Sequence, residues 1–150
     1  MMKNMELPQL IGLLIHQIKE SETVPHSIAN IGEVTPSEMH ILEIIGVNEL
    51  ITAKEIGEDL KITKGAVSQL VTKLKKKGLI ENVPNSNDQR KQTLLLTENG
   101  ATVYKYHQSI ELEFRNILEK SLSEEEKQMF EKGLGLLVEY FSHSLERRKR

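Results

Sequence analysis

Residues 52–97 constrain the fold more than any other stretch of the chain. They open with TAKEIGEDLKITKGAVSQLVTKLKKKGLI and close with DQRKQTLLLT. Thr52-Ala-Lys-Glu55 sets a hydroxyl three residues ahead of a carboxylate, a pairing that satisfies two free amides at a helix start. The spacing predicts a helix over Ala53–Leu60. Thr63 suits the cap of a second helix, which ends at Gly78. Val67, Leu70, Val71 and Leu74 recur at helical spacing and form one apolar stripe, expected to pack on Ile56, Leu60 and Ile62. Leu79, Ile80 and Val83 begin a strand, Asn85-Ser-Asn-Asp88 is a turn cluster, and Gln92–Leu96 returns. Two short helices joined tightly and followed by a hairpin make a winged helix-turn-helix. The fold class expected is mainly α with a small β-wing.

The flanking segments are helical. Leu7, Leu10, Ile11, Leu14 and Ile18 share a face, predicting a helix from Met5 to Glu20 with Pro8 in its first turn. The loop around Pro25 and Gly32 is read as holding a short helical turn over Ser27–Ile31. Thr35-Pro-Ser-Glu38 and Ser123-Glu-Glu-Glu126 repeat the hydroxyl-to-glutamate spacing. They start helices over Pro36–Ile45, ended near Gly46, and over Glu124–Arg147. Thr97 caps a long fifth helix lined by Val103, Ile110, Phe114, Ile117 and Leu118. Residues 147–150 read as a frayed tail. The first, fifth and sixth helices carry more apolar surface than the small central region can cover. That excess implies two chains joined through their end helices.

Composition narrows the function classes. The chain has 150 residues, enough for one domain with a core. It has no cysteine, which excludes disulfides, thiolate metal sites and thiol redox sensing and suits a cytoplasmic protein. No apolar run reaches membrane-spanning length, and the N-terminus has no secretory pattern. No GxSxG, P-loop, HExxH or dinucleotide loop is present, so an enzyme is not expected. The net charge of -2 is unevenly spread. Between Lys54 and Lys91 bases outnumber acids nine to five, so the rest of the chain is strongly acidic. A basic face on an acidic chain is expected where one surface meets a polyanion.

The second helix of the motif has residues suited to base edges. With its apolar stripe turned inward, Lys64, Gly65, Ser68, Gln69, Thr72, Lys73 and Lys76 face outward. Gln69 can pair bidentately with adenine, and lysines reach guanine or phosphate. Gly65 and Ala66 keep the helix start slim. Thr52, Lys54 and Thr63 are placed for phosphate contacts near helix N-termini. Arg90 in the hairpin can enter a minor groove, with Asp88 aiming its guanidinium and Lys91 beside it.

The run Asp88-Gln-Arg90-Lys-Gln-Thr-Leu-Leu-Leu96-Thr97 resembles the wing signature D-x-R-x5-L-T of the MarR family of bacterial transcription regulators, and ITKGAVSQLVTKLKKKGLIENV resembles its recognition helix and first wing strand. The resemblance covers nearly the whole chain. It implies a single MarR-type domain over 1–150, with a winged helix at 35–97 and dimerisation helices at 1–22 and 98–147. It implies a homodimeric repressor on a pseudo-palindromic duplex, released by a small-molecule effector, with no required cofactor. Arg90 then takes the minor-groove role and Asp88 supports it. Lys91 and Gln92 depart from the residues more usual after that arginine.

Two sensing chemistries are open. Leu14, Ile18, Met39, His40, Tyr106 and His107 can line an organic-effector site. Alternatively His40, His107 and Glu111 can hold zinc, since His107 and Glu111 share a helix face and Glu20 or Glu22 can complete the set. These positions resemble ligand positions of a zinc-responsive streptococcal subgroup. His16, His26 and His143 complete the histidines. A winged helix that binds protein rather than DNA is the remaining alternative.

Overall fold

The computed structural model describes residues 5–48, 50–84 and 92–148. The elements are α1 (Leu7–Ser21), β1 (His26–Ile28), β2 (Gly32–Val34), α2 (Pro36–Val47), α3 (Ala53–Leu60), α4 (Lys64–Lys76), β3 (Ile80–Pro84), β4 (Gln92–Leu96), α5 (Glu98–Ser121) and α6 (Glu124–Arg148). They fall into two compact units, Met1–His107 and Gln108–Arg150.

The capping pattern builds the helix starts as expected. Thr35 accepts from the Glu38 amide while Glu38 accepts from the Thr35 amide. Thr52 and Glu55 exchange the same two bonds, as do Ser123 and Glu126. Thr97 accepts from the Gly100 amide at the start of α5. The core of the first unit lies between α2, α3, α4 and the base of the wing. Ile41, Leu42, Ile56, Leu74 and Leu79 are fully buried there. β3 pairs antiparallel with β4, from Ile80 opposite Leu96 to Pro84 opposite Gln92. The Leu94 amide also donates to the Ile51 carbonyl, at 2.8 Å, which ties the wing to the entrance of α3.

Three expectations are corrected. The expected helical turn over Ser27–Ile31 is a hairpin: His26 pairs with Val34 and Ile28 with Gly32. Asn30 and Gly32 have φ of 64° and 99°, left-handed conformations that reverse the chain there. Ile28 and Val34 bury on the core while their neighbours stay outside. Gly46 does not end the second helix. α2 continues to Val47, and the Tyr104 ring lies where a Gly46 side chain would be, 2.9 Å from an added Cβ. Arg147 and Arg148, expected in a frayed tail, are helical, since α6 runs to Arg148.

α1 and α6 bury no residue, and Leu7, Leu14, Phe114, Met129, Leu136 and Val138 are each more than half exposed. In the second unit Lys127 joins Glu119 and Glu124 at 2.6 and 2.5 Å, bracing the α5–α6 turn. Among the described residues no helix is long and apolar enough to cross a membrane.

Candidate nucleic-acid interface

α4 is held by Val67, Val71 and Leu74, which are 2%, 7% and 0% exposed. The turn before it closes with Lys61 in the left-handed region (φ 53°) and the Ile62 amide donating to the Gly57 carbonyl. Thirteen residues give the helix a length of about 20 Å, a fit to a major groove.

The outward face carries the predicted residues. Thr63, Lys64, Gly65, Ser68, Gln69, Thr72, Lys73 and Lys76 are exposed and Ala66 is half-buried. Thr63 accepts from the Ala66 amide at 3.2 Å. Thr72 donates to the Ser68 carbonyl at 2.7 Å, so its proton is directed along the helix and its lone pairs face outward. Thr52 is half-buried, and both its hydroxyl and its amide donate to the Glu55 carboxylate, at 2.7 and 2.8 Å, so its cap contacts already occupy the donors expected to reach a phosphate. Lys54 sits 3.6 Å from Glu58 in an exposed pair, a contact worth about 0.3–0.5 kcal/mol and easily exchanged for a phosphate.

A groove of about 670 Å³ between α3 and α4 brings Lys54, Lys64, Ser68 and Thr72 together, and Lys75 joins them. Lys75 is not among the residues that the sequence singles out. Its spacing from Lys64, Ser68 and Thr72 is the signal that could have placed it, because those positions share one side of a helix. Among the described residues Lys64, Lys73, Lys75 and Lys76 have no acidic partner, whereas Lys77 pairs with Glu38. Asp88, Arg90 and Lys91 lie outside the described residues.

The residues expected to sense an effector are distributed differently. Met39 is 2% exposed and belongs to the core, while Leu14 and Ile18 are about half exposed on α1. His40 lies 3.9 Å from Glu22, and His107 lies 3.9 Å from Glu43. The His40 and His107 rings meet edge-on with centroids 6.2 Å apart. Among the described residues the buried Nδ1 of His107 has no hydrogen-bond partner. Tyr106 contacts His26, at 3.4 Å between hydroxyl and Nδ1. Glu20 pairs with His16 on α1. Glu111 follows His107 by one turn of α5, in the second unit. The sequence reading missed Glu43 as a neighbour of His107, since nothing local links α2 to α5.

Residues 33–91 match the family model described as MarR family. YhjH, an uncharacterized HTH-type transcriptional regulator of Bacillus subtilis, is 30% identical over 97 residues, covering 62% of this chain and 55% of YhjH. The transcriptional regulator ZitR of Lactococcus lactis is 31% identical over 113 residues, covering 73% of this chain and 77% of ZitR. The chain belongs to the MarR family. The solved structure of ZitR, a zinc-responsive MarR family member, superposes with a TM-score of 0.68 at 27% identity, over 90% of this chain and 96% of that one. FabT of Streptococcus pneumoniae, solved in complex with DNA, shares the fold with a TM-score of 0.76 at 23% identity, over 91% and 96% of the two chains. This MarR-family protein is a DNA-binding regulator of transcription rather than an enzyme.

Proposed function

We propose that the protein is a cytoplasmic homodimeric repressor that reads a pseudo-palindromic operator through α4 and is released by a small-molecule effector. One observation carries the site assignment. A helix anchored by buried Val67, Val71 and Leu74 turns Gln69, Lys73 and Lys76 outward, with no acidic partner among the described residues. Thr52, Lys54, Thr63, Lys64, Gly65, Ala66, Ser68 and Thr72 border the same surface. Asp88, Arg90 and Lys91 are assigned to the wing from their sequence pattern. The exposed apolar residues of α1, distal α5 and α6 support dimerisation through residues 1–22 and 98–147, because apolar surface of that extent favours a partner. An electrophoretic shift with the protein's own upstream region tests the reading. Retarded complexes that dissociate as salt rises are expected; a band unmoved by any duplex at low salt contradicts it.

Zinc is the second reading of the effector. ZitR is described as zinc-responsive, and here a buried histidine nitrogen beside a carboxylate lacks a hydrogen-bond partner among the described residues. Nitrogen and carboxylate donors suit zinc. His40, His107 and a glutamate such as Glu22 or Glu43 would hold the ion. Bound there, it would cross-link α2 to α5 at His107. Calorimetric titration of metal-free protein tests this: binding tighter than about 1 µM, lost in His107→Ala, is expected, and no heat in that range removes the reading.

A further inference from the structure

The C-cap of α4 is tied to residues outside the candidate interface. Lys77 closes the helix, and its Nζ donates to the Glu33 carbonyl at 2.7 Å and to Glu38 Oε2 at 2.6 Å. The same Glu38 oxygen accepts from the Thr35 amide at 2.9 Å. Glu38 is 2% exposed. We propose that Lys77 and Glu38 are positioning residues for operator recognition: the ammonium ties the end of α4 to β2 and α2 and so sets the angle at which Gln69, Lys73 and Lys76 meet the duplex, without touching DNA.

Two physical arguments support this. The apolar stripe under α4 is non-directional, and close packing alone tolerates small rotations and slides. A charge-assisted hydrogen bond is short and directional. A buried carboxylate that loses its cation is also strongly disfavoured, so orientations of α4 that separate the pair are depopulated. Lys77 therefore differs from Lys64, Lys73, Lys75 and Lys76, which have no acidic partner among the described residues. Those are available to phosphates, whereas two acceptors already hold this one.

The test uses the full-length protein with two duplexes: one selected by the wild type from a random-sequence library, and one scrambled to the same composition. Affinities are measured across a salt series, at a temperature where circular dichroism shows every variant folded. Glu38→Gln removes a negative charge, so the electrostatic field alone would tighten DNA binding. The expected result is the opposite, about tenfold weaker binding to the selected duplex and less than about twofold change on the scrambled one. Lys77→Met should lose a similar factor while the slope of log K against log salt is unchanged, whereas removal of a phosphate-bound lysine reduces it by about one. Lys77→Arg should restore binding, since it keeps the charge and the donors. If Lys77→Met does not fold, Glu38→Gln and Lys77→Arg decide. Unchanged or tighter binding by Glu38→Gln, a shallower slope for Lys77→Met, or equal losses on both duplexes overturns the proposal. Failure of the wild type to select any duplex would instead count against the repressor reading.

Discussion

Glu38 makes the chemistry of single residues measurable. Burial of its carboxyl favours the neutral form, but the hydrogen bond from Lys77, the Thr35 amide and the Lys77 charge outweigh it and hold the group below its usual value of 4.5. The unfolded chain therefore binds this proton more tightly than the folded one. The pair's contribution is complete above the usual glutamate range and is lost as pH falls through the depressed value. Thermal melts of wild type and Glu38→Gln from neutral to acid pH should converge as pH drops; a constant difference across that range would contradict the linkage. On the interface, Lys73→Ala should weaken binding to every duplex and reduce the salt slope by about one, the signature of a phosphate contact. Arg90→Ala should cost about 1–3 kcal/mol on the operator, the scale of one specific contact. A fluorescence titration in which Arg90→Ala matches the wild type would remove the wing from the site.

Individual elements show what was legible in the sequence and what was not. The starts of α2, α3, α4 and α6 could be read because their caps lie within three residues of one another, and short-range signals need no tertiary knowledge. The β1–β2 hairpin could not be read, because three-residue strands carry too little periodicity and their alternation has meaning only against a core. Gly46 looked like a helix end because glycine often serves there; its actual role is to make room for the Tyr104 ring, which comes from a distant segment. The Glu38–Lys77 pair is invisible for the same reason, being 39 residues apart. The outward face of α4 was readable because one periodic stripe assigns both its sides. Gly100 gives an element-scale expectation. A Cβ there would come within 1.9 Å of the Leu79 carbonyl oxygen, which cannot yield without moving backbone. Gly100→Ala should destabilise the fold by about 3 kcal/mol, at the upper end for overpacking. Denaturant unfolding checks this, and an unchanged midpoint would show that α5 can shift freely.

At the scale of the whole molecule, the apolar residues left outside matter most. A core of aliphatic side chains fills the first unit, while α1 and α6 bury nothing by themselves. Val138 is 60% exposed and Leu136 61% exposed in the single chain. Leu136→Glu combined with Val138→Glu should shift sedimentation toward the monomer and abolish tight operator binding, because one half-site alone forfeits the gain from simultaneous engagement. A doubly substituted protein that still sediments as a dimer would move the dimer contact elsewhere.

The small hydroxyl of Thr97 has a mechanical consequence. It donates to the Gly78 carbonyl at 2.6 Å and accepts from Gly100, while the Thr97 amide donates to Leu79. One residue thus rivets the exit of α4 to the root of the long helix that follows. A rotation of that root would therefore have to break or carry these three hydrogen bonds before it left the end of α4 unmoved.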